Sequence, residues 1–135
     1  NKDFKFMYMK NEYLLTIEGR LHGYHTRLKE LHYSAPSYSL HKIIDEFDSE
    51  LQEFDDTIME DAQSVFGFIE PGMINPVLPE ETEIEAVLRS IRAMLAEMKD
   101  TLQEKLYTGI MNTVDDFWST LNKTIYLVMI AKKGY

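Results

Sequence analysis

The sequence predicts an all-α fold, a four-helix bundle. Three clusters of chain breakers leave four segments between them, and each segment repeats apolar residues every three or four positions. No segment shows the two-residue alternation of a strand. The breakers are Ser34-Ala35-Pro36-Ser37, the stretch from Gly67 to Pro79 with its three prolines, and Tyr107 to Thr113 around Gly109.

The first segment places Phe6, Met9, Tyr13, Ile17, Leu21, Tyr24, Leu28 and Leu31 on one helical face. The second does so with Leu40, Ile44, Phe47, Leu51, Phe54, Ile58, Ala62 and Val65, and Ser37 precedes it as an N-cap. The third uses Ile84, Val87, Ile91, Leu95, Met98 and Leu102, with Glu80 and Glu81 expected to place negative charge on its first turn. The fourth uses Val114, Phe117, Leu121, Ile125 and Val128, and Thr113 with Asp116 reads as a capping box at its start. A chain of 135 residues forms one domain, expected to span residues 1–135. The short first and third connections require antiparallel neighbours. About 12 extended residues between Gly67 and Pro79 reach roughly 40 Å, the length of a helix of about 27 residues, so a long crossover between the second and third helices is permitted.

Composition narrows the function. The longest apolar run, Ile125 to Ala131, falls far short of the roughly 18 residues of a membrane span. Cysteine is absent, which excludes a disulfide framework and thiolate chemistry and suits a reducing cytoplasm, so any metal must be held by His, Asp or Glu. Acidic residues outnumber basic ones by 23 to 14, a formal charge of −9 that repels phosphate backbones and attracts cations. Direct nucleic-acid binding is disfavoured, with local basic spots only at Lys2, Lys5, Lys10 and Lys132-Lys133. The start, Asn1-Lys2-Asp3-Phe4, has neither an initiating Met nor a signal-peptide core, so further residues are expected before it. Motifs for phosphate binding, a nucleophile elbow or a His-Glu-x-x-His zinc site do not occur.

The second segment carries the candidate chemistry. On a wheel of about 100° per residue, His41, Asp45, Asp56 and Glu60 lie roughly 100–200° away from the apolar stripe, so they face away from their own core. That sector also holds Lys42, Ser49, Gln52 and Gln63, and a solvated polar face is the plainer reading. His41 with Asp45 and Asp56 with Glu60 are both four-residue pairs, each able to converge on one ion. The midpoints of the two pairs are about 22 Å apart along the axis, too far to share an ion with bonds of about 2.0–2.2 Å. A second copy lying antiparallel across a two-fold axis level with Glu50 and Leu51 brings the pairs together twice. No Glu-x-x-His occurs, so an inward-facing di-iron site within one bundle is not expected.

The run from His41 to Asp45 and the run Asp56-Thr-Ile-Met-Glu60-Asp-Ala resemble the second-helix signature of the DNA-protection-during-starvation (Dps) proteins. His32-Tyr33 resembles the His-Trp end of that family's first helix, and Asn112-Thr113 through Asp116, Lys123 and Tyr126 resembles its fourth. The chain is also similar to the short ferritin-like proteins of tailed phages. The resemblance implies a ferritin-like bundle with a long crossover, and a homo-oligomer in which His32, His41 and Asp45 of one subunit and Asp56 and Glu60 of another bind iron. It further implies that Fe(II) is oxidised there, with iron storage and protection against oxidative damage as the outcome. The alternative is a ferritin-like structural or interaction protein, such as a phage component, whose metal site is vestigial or structural. The nine-residue interval from His32 to His41 is shorter than in typical Dps proteins, and the crossover is too short for the extra helix they place at the dimer interface. A closed shell is therefore not implied.

Other titratable residues read as ordinary. His22 and His25 are expected at the surface or boundary of the first helix, with a supporting role open to His25. Asp48, Glu50, Glu53 and Asp55 are read as a wet face, the alternative being that they funnel cations toward the sites or line a cavity. Trp118 is expected in the core.

Overall fold

In a computed structural model, residues 8–134 are described and form four α-helices; the expectations placed on Lys2, Lys5 and Phe6 lie outside them. The helices are α1 (Glu12–Tyr33), α2 (Tyr38–Phe66), α3 (Ile84–Thr101) and α4 (Thr108–Lys132), with one 3-10 turn at Lys105–Tyr107 ahead of α4. None is long and apolar enough to cross a membrane.

Local chemistry sets the helix ends. The Asn11 side chain accepts a hydrogen bond from the Leu14 amide at 3.0 Å and starts α1, so Met9 lies outside the helix predicted to contain it. Met9 instead donates its amide to the Phe68 carbonyl at 2.8 Å and remains buried. Ser37 caps α2 as its sequence predicts, accepting from Leu40 at 3.2 Å. Gly67, at φ 104°, ends α2 in a conformation that favours glycine.

Two predicted starts are displaced. Glu80 and Glu81 precede α3, whose first turn carries Glu85 instead. Thr113 does not cap α4; it lies inside the helix and its hydroxyl donates to the Gly109 carbonyl at 3.2 Å. Gly109 is no breaker here. The Asp61 carboxylate of α2 packs where a Cβ would stand, so the glycine provides room between helices.

The four helices pack as a ring of neighbours, α1 on α2, α2 on α4, α4 on α3 and α3 on α1. Side-chain pairs show that α1 and α2 are antiparallel, with His25 bonded to Asp48. They show the same for α1 and α3 (Tyr24 with Ser90, Tyr13 with Glu97) and for α3 and α4 (Lys99 with Asp115, Lys132 with Glu83). The segment 67–83 runs along α1: Val77 donates its amide to the Gly19 carbonyl at 3.0 Å, and Arg27 donates to the Pro79 carbonyl at 2.8 Å. Gly19 and Gly23 are what let it approach, because a Cβ on either would overlap the carbonyl oxygens of Asn75 and Val77. The strand-like segment thus returns the chain to the starting end of α2, and α3 runs parallel to α2.

The core is continuous through the ring. Leu14, Ile17, Leu21 and Leu28 of α1 meet Ile44, Phe47, Leu51 and Ile58 of α2, Leu88, Ile91 and Leu95 of α3 and Val114, Leu121 and Val128 of α4, all buried. The Phe117 ring stacks on Phe54 at 4.3 Å and on Phe47 at 5.6 Å between α4 and α2. Trp118 is only partly buried, with the Lys99 ammonium 5.8 Å from its ring centre. The basic spot at Lys132 is neutralised locally, since its ammonium lies 2.8 Å from Glu83 and 3.2 Å from Glu85.

Candidate metal-binding groove between α1 and α2

The outer seam of α1 and α2 carries a polar ladder. Glu18, His25 and His32 follow one another at seven-residue steps on α1, and Asp55, Asp48 and His41 answer at the same steps on the antiparallel α2. Seven residues are nearly two helical turns, about 10.5 Å, so each rung faces its partner at a similar angle. The rungs change from imidazole with imidazole, through imidazole with carboxylate, to carboxylate with carboxylate.

The first rung lies where α1 ends and α2 begins. The His32 and His41 rings stack with centres 3.9 Å apart. His32 Nδ1 lies 3.1 Å from the His41 carbonyl oxygen and His41 Nδ1 lies 3.0 Å from that of His32. A carbonyl only accepts, so both Nδ1 atoms carry a proton, which leaves Nε2 as the nitrogen of each ring that can ligate. The short loop between the helices, with Pro36 and the Ser37 cap, makes this reciprocal contact geometrically accessible. Tyr33 and Tyr38 flank the pair and are 73% and 76% exposed, a large aromatic surface left open beside it.

Asp45 is exposed one turn along α2 from His41, and Asp56 and Glu60 are exposed further on, as the wheel requires of residues facing away from the core. Among the sequence-predicted ligands, the chain itself brings together His32 and His41. Asp56 and Glu60 remain roughly 22 Å along the axis from the midpoint of His41 and Asp45. Between these two pairs the same face presents Ser49 and Gln52, both exposed. Leu51 does not reach it, being 1% exposed and committed to the core.

Deeper in the seam, the structure assembles residues that sequence reading treated as ordinary. His25 Nδ1 lies 2.7 Å from Asp48 Oδ1, and Asp48 is buried rather than part of a wet face. His22 Nε2 lies 2.9 Å from Glu18 Oε1 and 3.8 Å from Asp55 Oδ2. Glu18 is 4% exposed, and its carboxyl faces that of Asp55. Burial pushes the Asp55 carboxyl up to about 9, with the hydrogen bond and negative charge of Glu18 adding to the shift. Burial also raises Glu18. A cavity of about 300 Å³ opens onto these groups, lined by Glu18, His22, His25, Gln52, Asp55 and Asp56 among others. Asp55 and Asp56 are 100° apart on the helix, so one faces α1 and the other the cavity mouth. Glu50 and Glu53 turn instead toward α4, where they line a separate groove with Asp116 and Thr120.

The signal for this ladder was present as spacing. Glu18, His22 and His25 occupy positions i, i+4 and i+7, and Asp48, Gln52 and Asp55 repeat that pattern. Seen on one helix, each is a polar stripe; only antiparallel pairing of the two gives them meaning.

Comparison with protein-family models finds that residues 32–128 match a family of unknown function (DUF5856), a stretch that begins at His32 and takes in all of α2 and α3 and most of α4. No curated protein and no solved structure matches the chain.

Proposed function

The chain belongs to that family of unknown function, DUF5856, and we propose that it is a ferritin-like, Dps-like protein that binds Fe(II) and oxidises it at sites shared between two subunits. The observation that carries this reading is the His32–His41 rung. Two imidazoles are held rigidly by backbone carbonyls, with both Nε2 atoms available, at the exposed end of the seam that also bears Asp45, Asp56 and Glu60. Hydrogen bonding of Nδ1 to a carbonyl is the usual support for a metal-ligating histidine, since it fixes the tautomer and the ring.

In this account a second copy packs α2 against α2 around the Ser49 and Gln52 surface. His32, His41 and Asp45 of one subunit then face Asp56 and Glu60 of the other. Imidazole and carboxylate donors suit Fe(II) as substrate and leave positions for an oxidant, dioxygen or hydrogen peroxide, to take up the electrons. The carboxylates favour the product Fe(III), whose higher charge they balance. The ring of helix neighbours and the crossover laid along α1 support the ferritin-like reading, and the acidic surface supports cation delivery.

Anaerobic Fe(II) titration of the purified protein, followed by addition of peroxide or dioxygen, tests the proposal. Expected are two ions or ion pairs per dimer that depend on Asp56 and Glu60, and growth of Fe(III) absorbance. Binding that is absent, or unchanged in an Asp56→Ala/Glu60→Ala variant, contradicts it. The exposed Tyr33 and Tyr38 favour one rival, a ferritin-like interaction protein in which the site only cements a dimer. That rival predicts metal-dependent dimerisation without Fe(III) formation.

A further inference from the structure

Beyond the intersubunit site, we propose that Glu18, His22 and Asp55 form a second metal site, complete within one chain, that takes a divalent first-row transition ion such as Mn(II) or Fe(II). One ligand atom from each residue lies within 4.8 Å of the others. The separations from His22 Nε2, 2.9 Å to Glu18 and 3.8 Å to Asp55, bracket the roughly 3.0–3.4 Å between ligand atoms around an ion with bonds of about 2.1 Å. Small side-chain movements therefore suffice to close the set.

An independent observation points to a ligand. Glu18 is buried and lines the cavity, and neither its Oε2 nor Asp55 Oδ1 meets a hydrogen-bond donor from any other described residue; only a proton held between the two carboxyls joins them. Buried carboxylate oxygens are ordinarily paired, because leaving one unmade costs its full desolvation. Two such oxygens beside an imidazole are what a cation, taking the place of that proton, would satisfy together. The cavity's size leaves space for an ion with water completing its coordination.

The donor set selects the class of ion. One imidazole with two carboxylates favours Mn(II), Fe(II) or Zn(II) over Mg(II) and Ca(II), which prefer oxygen ligands alone. His22 Nε2 now points at Glu18, and its side chain is 45% exposed, so the ring proton can pass through water to Nδ1 when Nε2 ligates. Gln52 at the cavity lining can position bound water.

Manganese titration followed by the loss of free Mn(II) signal in electron paramagnetic resonance is the test. It is run in a His32→Ala/His41→Ala background so that the intersubunit site cannot contribute. The proposal expects one Mn(II) per chain in that background, undiminished by a tenfold excess of Mg(II). It expects that Glu18→Gln with Asp55→Asn, substitutions close in shape to the carboxylates, abolishes binding while circular dichroism is unchanged. His22→Ala, read beside the same circular dichroism control, weakens Mn(II) binding at least about tenfold. No binding in the background, binding indifferent to these substitutions, or displacement by Mg(II) overturns the site. Fe(II) oxidation by the otherwise wild-type chain carrying Glu18→Gln and Asp55→Asn reads the intersubunit proposal separately.

Discussion

His32 and His41 clasp each other across the α1–α2 turn, each ring Nδ1 donating to the other residue's backbone carbonyl while the rings stack at 3.9 Å. The contact joins the last turn of one helix to the first turn of the next, and it orients both rings without help from any buried charge. Below it, the seam continues through His25–Asp48 to Glu18–Asp55.

His41→Ala removes one ligand and leaves only exposed carbonyl oxygen behind, which water can satisfy. We expect Fe(II) affinity to fall at least about tenfold with a stability change below about 1 kcal/mol. Paired iron titration and urea denaturation check this. A large loss of stability with unaltered affinity would mean that the clasp serves the fold alone.

Gly23→Ala drives a Cβ into the Val77 carbonyl, so the crossover must lift from α1. The expected cost is about 1–3 kcal/mol, as for overpacking elsewhere, read as a lower denaturation midpoint. An exposed control on the same helix, Thr26→Ala, is expected to change the midpoint little.

The Asp55 carboxyl, raised to about 9 by burial and by Glu18, keeps its proton in the folded state at pH values where the unfolded chain, near 3.9, has released it. The folded state thus binds more protons across that window, and this contribution is fully present below about pH 4 and lost as pH rises toward about 9. Thermal midpoints of metal-free protein are expected to show Asp55→Asn gaining on the wild type as pH increases. Parallel profiles for the two would contradict the assignment.

The apolar periodicity of four segments was enough to read the helices, because each buries one face and the stripe survives in a single chain. Helix ends were less legible. The Thr113 and Asp116 pattern looks like a cap, but the chain turns earlier, at Lys105–Tyr107, and Gly109 continues the helix because Asp61 occupies the space beside it. The exposure of His41, Asp45, Asp56 and Glu60 followed from their wheel angles alone. Glu18 escaped notice, and His22 and Asp55 read as ordinary, because their meaning lies in a pairing between helices, and neither stripe is distinctive without the other. His32 and His41 were placed together by the family resemblance of their two segments, and a tight turn is what joins them.

Subunit complementation tests the proposed shared iron site most directly. A His32→Ala/His41→Ala chain and an Asp56→Ala/Glu60→Ala chain are each expected to lose intersubunit Fe(II) oxidation. When they are co-expressed, a symmetric dimer containing one of each keeps one intact site, so random pairing restores roughly a quarter of wild-type sites. Recovery of that size with Fe(III) formation is the predicted result; a mixture as inactive as its two components would contradict it.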